Sequence, residues 1–369
     1  MKNNIFIPIL VSLIMFSFSV INKAQNNPEF NILKQIPTSP VKNQYRTGTC
    51  WAFATTSFIE TEAIRKGKGV HDISVMYSVR NAYLTKAKKY VRFHGETNFS
   101  EGGQAHDVLN EIEKNGLVPN NVYNGLNYGE TIHNHSEMFE MLQGMLNGLI
   151  NSKYVKPSDA WLNAFNAALD SYLGKPVTEF KYNEKKYTPK KFVEEVLDFN
   201  PDDYVELTSF KDYPFYKEFE LEIPDNWSHD RYFNLPLTEL IDVINNALNN
   251  GYSVNWDGDV SEEDFDHKEG SAVLSLKESD GIIMTGIDKM RLKSFNNFTT
   301  TDDHLMHITG IAKDKNGTIF YLTKNSWGEN SNNFGGYLYM SQWYVQLKTI
   351  AIMVHKDAIP KTIRKKLGF

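Results

Sequence analysis

The spacing of apolar and polar positions divides the chain into a helical first half and a strand-rich end. From Cys50 to Lys66 the residues run CWAFATTSFIETEAIRK. The first ten carry no charge, and Glu60, Glu62, Arg65 and Lys66 follow. That predicts a helix with a buried front half and a far end in solvent. Gly67 and Gly69 close it. A second helix is predicted over VMYSVRNAYLTKAKKY, Val75 to Tyr90. After the loop HGETNFSEGG, QAHDVLNEIEKNG returns to helical period and is ended by Gly116 and Pro119.

From about residue 130 to 234 the chain is richer in Asn, Tyr, Lys and Pro, yet keeps helical pieces. In WLNAFNAALDSYLG the apolar residues Trp161, Ala164, Phe165, Ala168, Leu169, Tyr172 and Leu173 follow the 3.6-residue period. TPKKFVEEVLDF offers Thr188 as N-cap and Pro189 in the first turn. The segment is too aromatic for disorder and reads as an elaboration on a core fold. From Leu235 the pattern changes. PLTELIDVINNALNNG is a helix ended by Gly251, and YSVNWDGDV is a strand. HITGIAKDKNGTIFYLTKNSWG is two apolar runs around Asn316-Gly317, a hairpin, and GGYLYMS is a further strand. Helices first and strands last are an α+β plan with two lobes. The predicted division is a mainly helical lobe over 25–129, a helical insertion over 130–234 and a mainly strand lobe over 235–369.

Composition adds the class but not the chemistry. The 369 residues are 41% hydrophobic and 13% aromatic, enough for a sizeable core. Net charge is -6, from 39 basic and 45 acidic residues spread along the chain, so no basic block points to nucleic acid. The N-terminus changes the picture. One lysine, an apolar run from Ile5 to Ile21 and then polar residues predict a signal peptide over 1–24, cut near Ala24. The alternative is an uncleaved anchor, since the run approaches the roughly 20 apolar residues that span a bilayer. The expectation is an exported protein, periplasmic or extracellular, from a bacterial host.

Cys50 is the only cysteine, which excludes an intramolecular disulfide. A cysteine nucleophile needs a thiolate, a base, an orienter for that base and an oxyanion hole. Cys50 opens a predicted helix, where outward N–H groups favour the thiolate, and Gly48 lets the backbone turn sharply before it. For the base, His307 opens the strand HITGIA and would be rigidly placed. The rival is His304, in the polar run TTDDH, which reads as loop. Together the two histidines suggest only a weak metal pair, and no cofactor is expected. His133 and His135 form a similar pair that reads as solvated. Asn325, in KNSWG eighteen residues after His307, would return beside it at the end of the hairpin, covered by Trp327. Gln44, six residues before Cys50, offers an amide to the oxyanion hole beside the N–H of Cys50.

Gln44 with Cys50-Trp51 six residues on, His307 before an apolar strand, and NSWG at Asn325 to Gly328 resemble the papain superfamily of cysteine peptidases. EGGQAHDVLNEIEKNGLVPNNVY, YTPKKFVEEVLDF, DDYVELTSF, NWDGDV and HLMHITG are similar to the bleomycin hydrolase and aminopeptidase C branch. The resemblance spans about 29–365. It implies a papain-like two-lobe fold, with a helical N-terminal lobe and an antiparallel β-barrel-like C-terminal lobe. It implies Cys50 as nucleophile, with a lowered pKa, His307 as acid/base, Asn325 as orienter and Gln44 as oxyanion donor. Gly102 and Gly103 would line the cleft for an extended peptide. It further implies peptide substrates, an acyl-enzyme, aminopeptidase action and a homo-hexamer.

The chain departs from that pattern in three places. TGTCW replaces the usual CGSCW, with Thr47 at a disulfide position. Cleavage near Ala24 would leave no room for an inhibitory pro-domain. The end at IPKTIRKKLGF lacks the stretch that forms the branch's cleft-filling tail. An open-cleft endopeptidase and a non-catalytic peptide-binding protein on the same fold are therefore the alternatives.

Overall fold

The computed structural model describes residues 29–152, 156–274 and 283–369, and the predicted signal segment lies outside them. Among the described residues no helix is long and apolar enough to cross a membrane.

Five helices share the first core: Cys50–Arg65, Val75–Arg92, Ala105–Asn115, Ser136–Ile150 and Ala160–Leu173. Local sequence explains their ends. Ser74 Oγ accepts from the Tyr77 N–H at the start of the second helix. Gln104 and Asp107 form a reciprocal capping box at the start of the third, and Gly116, at φ 72°, turns the chain out of it. Thr188 caps the next short helix, which passes into a π-helical turn over Phe192–Leu197.

The second half is built on one eleven-stranded sheet. Its order runs Glu218–Glu220, Arg231–Asn234, Tyr204–Thr208, Thr349–His355, Val254–Gly258, His304–Asp314, Ile319–Lys324, Tyr337–Ser341, Ser271–Ala272, Phe265–Asp266. Phe30–Gln35 pairs with the His304–Asp314 strand as well. Most pairs are antiparallel; two, Tyr204–Thr208 with Arg231–Asn234 and Tyr337–Ser341 with Ser271–Ala272, are parallel. Leu240, Ile244 and Leu248 of the Leu237–Asn249 helix pack on Trp256, Ile308, Tyr321 and Ile352 to form the second core. Residues 130–234 serve both cores. Leu142, Leu146, Phe165 and Leu169 join the helical one, whereas the Tyr204–Thr208 strand pairs into the sheet beside Thr349–His355.

The Cys50–Arg65 helix lies against the His304–Asp314 strand and joins the two halves. Its uncharged front supplies Trp51, Phe53, Phe58 and Ile59 to the core. Each such burial contributes about 1.5–3 kcal/mol. Its far end differs from the expectation that it would meet solvent, because Glu60 and Glu62 are both buried. Glu60 accepts from Ser39 Oγ, from Lys42 Nζ at 2.7 Å and from the Ile73 N–H at 2.8 Å. Glu62 is paired with Arg65 and accepts from Tyr204 Oη at 2.9 Å. The charges were legible in the sequence, but these distant partners were not.

Candidate active site

Cys50 is the first residue of its helix, half-buried at the junction of helix and sheet. Its sulfur accepts from the backbone N–H of Leu305, the second residue of the His304–Asp314 strand. His304, the residue before, is buried, and its Nε2 donates to Asn325 Oδ1 at 2.8 Å. That leaves His304 Nδ1 as the ring's unprotonated nitrogen.

This corrects the expectation built on His307. The hydrogen bond to Asn325 belongs to His304, which is the first residue of the strand and pairs with Gly258 rather than lying in a loop. His304 and His307 are three apart on one strand, and side chains alternate with a period of two, so they point to opposite faces. His307 faces the core under the cysteine helix. Its Nδ1 meets Ser57 Oγ at 2.9 Å, and Lys324 Nζ donates to the same oxygen at 2.8 Å. Burial and the Lys324 charge hold His307 well below the ordinary histidine pKa. The two histidines therefore do not form a metal pair.

Asn325 is held on both sides. Its Nδ2 donates to His267 Nδ1 at 3.2 Å, and its Oδ1 also receives the Ser326 N–H at 2.7 Å. His267 Nε2 in turn donates to Ser331 Oγ at 2.8 Å. Trp327 lies over this group, its ring centroid 5.2 Å from that of His304 and 4.6 Å from that of His267. His267, Ser326 and Ser331 were not among the residues sequence reasoning singled out. No spacing rule links His267 to Asn325, and the turn after the Phe265–Asp266 strand supplies it.

Gln44 is buried, and its backbone N–H donates to Ser326 O at 2.8 Å. Its Oε1 accepts from Ser326 Oγ at 2.6 Å, and one Nε2 hydrogen goes to Thr47 O at 2.8 Å. The second Nε2 hydrogen has no partner among the described residues. Gly48 N–H donates to Glu101 Oε2 at 2.7 Å, which ties the turn before Cys50 to the loop that carries Gly102 and Gly103. Both glycines are needed for packing. A Cβ on Gly102 would lie 1.8 Å from Asp225 Oδ2, and one on Gly103 would lie 3.0 Å from the Trp51 ring. Gly102 is also engaged through its main chain, donating to Ser100 Oγ at 3.2 Å and accepting from Lys86 Nζ at 2.6 Å.

The electrostatics run against the expected low thiol pKa. Burial pushes the Cys50 thiol up to about 12; the Leu305 N–H opposes this, and Asp302, Asp225 and Asp257 add to it. Burial likewise lowers His304, against the hydrogen bond to Asn325. Burial favours the neutral form of both groups, and the charged groups that bear on the sulfur are carboxylates rather than cations. His135 is not solvated as expected. It is buried with no hydrogen bond to either ring nitrogen, and burial takes it down to about 3. A cleft of about 940 Å³ is lined by Lys42, His71, His133 and Trp327; neither Cys50 nor His304 lines it.

Comparison with known proteins gives the family. The Peptidase C1-like family matches residues 75–368, and the chain belongs to that family. It is a papain-superfamily cysteine peptidase of the aminopeptidase C branch. The chain is 23% identical over 373 residues to aminopeptidase G of Lactobacillus delbrueckii subsp. lactis, covering 90% of this chain and 85% of that protein. It is 25% identical over 386 residues to aminopeptidase C of Streptococcus thermophilus, covering 91% and 84%. The crystal structure of PepW from Lactobacillus rhamnosis HN001 superposes with a TM-score of 0.72 at 22% identity, over 92% of this chain and 84% of that one.

Proposed function

We propose that the protein is an exported aminopeptidase that cleaves peptide bonds through an acyl-enzyme on Cys50, with His304 as acid/base, Asn325 as its orienter and Gln44 as oxyanion donor. The observation that carries this reading is the His304–Asn325 hydrogen bond under Trp327, with the Cys50 sulfur at the N–H of the residue next to His304. His304 Nδ1 takes the thiol proton as the sulfur attacks the peptide carbonyl. A C–S bond forms, and charge builds on the carbonyl oxygen. The second Nε2 hydrogen of Gln44 and the N–H of Cys50 at the helix tip are the donors for that oxygen. His304 then gives its proton to the leaving amine as the C–N bond breaks. Water, deprotonated by the same ring, then attacks the thioester carbonyl; the C–S bond breaks, the acid leaves and the proton returns to the sulfur. Asn325 keeps Nδ1 turned toward sulfur by accepting from Nε2. Since both main-chain groups of Gly102 are spent internally, Gly103 is the glycine left to pair with an extended peptide. The relatives' names support removal of N-terminal residues. Export rests on the N-terminal apolar run alone, and assembly into a hexamer rests on the resemblance.

The test is one peptide offered free and N-acetylated to the mature protein and to its Cys50→Ala variant. Stepwise loss of residues from the free form only, absent in the variant, is the expected result. Internal cutting of both forms would mean an endopeptidase. No cutting of either across a varied peptide set would overturn the reading in favour of a binding protein.

A further inference from the structure

Three carboxyl groups that the reaction above does not use lie near enough to Cys50 to act on its charge. Asp302 lies two residues before His304. Asp257 sits opposite Leu305 in the neighbouring strand. Asp225 comes from a loop of the middle segment and covers Gly102. All three bear on the charge of the Cys50 sulfur.

Their partners differ in a telling way. Asp225 Oδ1 accepts from Asn98 Nδ2 and from Ser100 Oγ, both at 2.9 Å. Asp302 Oδ2 accepts from Gln104 Nε2 at 2.9 Å. Asp257 is 3% exposed, and its one hydrogen-bond partner is another acid. The group it faces is a second carboxyl, that of Asp302. Lys86, a buried cation whose charge reaches Asp225 and Asp302, spends its ammonium on Ser100 O at 3.0 Å and on Gly102 O at 2.6 Å. Two facing carboxyls served by one protein amide must share a proton or receive a cation that brings its own donors. Asp225, Asp302 and Cys50 are only part-buried, so a peptide can reach this group of carboxyls, of which Asp257 is the buried member.

The chemistry selects the cation. Among the described residues no three His, Cys, Asp or Glu side chains are placed to hold a metal ion. A primary ammonium carries three donors, can reach two facing carboxyls at once, and is a group that peptides bring with them.

We propose that Asp302, Asp257 and Asp225 bind the primary ammonium group of the peptide beside Cys50, and so select substrates that carry one. This rests on the reading of Cys50 as the nucleophile. The ammonium comes from the free N-terminus or from a lysine side chain. A site for the first, next to the attacking sulfur, is what confines cutting to the end of a chain.

The test separates this site from turnover. Calorimetry of the mature Cys50→Ala protein compares three peptides: free, N-acetylated, and N-acetylated with lysine as first residue. The expected result is binding tighter by about tenfold or more for an ammonium-bearing peptide over the plain acetylated one. Asp302→Asn and Asp257→Asn, nearly isosteric, each abolish most of that preference. Tighter binding of the free peptide assigns the site to the N-terminus, and of the lysyl peptide to a side chain. Equal binding of all three, no binding of any, or a preference untouched by both substitutions overturns the proposal. Hydrolysis by the Cys50 protein is scored separately. Cutting without an ammonium preference sinks the site alone, and an ammonium preference without cutting sinks the peptidase reading alone.

Discussion

His304 Nε2 donates to Asn325 Oδ1 at 2.8 Å, while His307, three residues along the same strand, turns the other way onto Ser57. The two side chains share a strand and a residue type, but only His304 meets Asn325, next to the residue whose N–H reaches the sulfur. His304→Ala should therefore lower kcat/KM by about 10²–10⁴, the range for loss of a general acid–base group. His307→Ala should leave turnover within a few-fold and lower Tm, since it strips the Ser57 hydroxyl of a buried partner at a cost of about 1–3 kcal/mol. Peptide hydrolysis and thermal melts on the two variants decide it; a larger activity loss in His307→Ala would reverse the assignment.

The resting thiol makes a further prediction. A nearby negative charge disfavours the thiolate, so Asp302→Asn should lower the Cys50 pKa from about 12. Alkylation by iodoacetamide at pH 8 should then be faster in the variant than in the native protein. An unchanged or slower rate would show that the Asp302 charge does not reach the sulfur. Through the same coupling, an ammonium-bearing peptide at the carboxyls should speed alkylation by a small reagent unless it blocks access.

The carboxyl pair should also mark the pH dependence of stability. Burial, and the charge of Asp225 next, raise Asp302 from 3.8 to about 7. The folded form therefore holds a proton that the unfolded chain has released, and stability falls as pH rises from about 4 through 7. Buried histidines such as His304 work in the opposite direction near pH 6, so the useful quantity is a difference. Asp302→Asn should gain Tm relative to the native protein at pH 7.5 and lose that advantage by pH 4.5. A difference independent of pH would contradict the raised pKa.

Gly102→Ala tests the place of Asp225 in this group. A Cβ there would overlap the Asp225 carboxylate at 1.8 Å. Asp225 must move off Asn98 and Ser100, at a cost typical of overpacking, about 1–3 kcal/mol. A melt within 1 °C of the native protein would mean that Asp225 moves freely and is not held there.

Much of this protein is determined locally. The helix beginning at Cys50, the capping box at Gln104, the Thr188 cap and the hairpin at Asn316-Gly317 follow from periodicity, caps and turn chemistry, which act over a few residues. So do the candidates Cys50, Gln44, Asn325 and Trp327, which short motifs carry. What the tertiary structure decided is which face each side chain turns to and which distant group meets it. His304 and His307 look alike in sequence; strand alternation and the start of the strand at His304 separate them. Asp225, Asp257 and Asp302 lie on three segments, and nothing local marks them as neighbours. Burial of Glu60, Glu62 and His135 likewise depends on partners and packing far along the chain. Local chemistry set the elements, and long-range packing set the charges around the sulfur, because desolvation and Coulomb interaction depend on distance in space and not on separation along the chain.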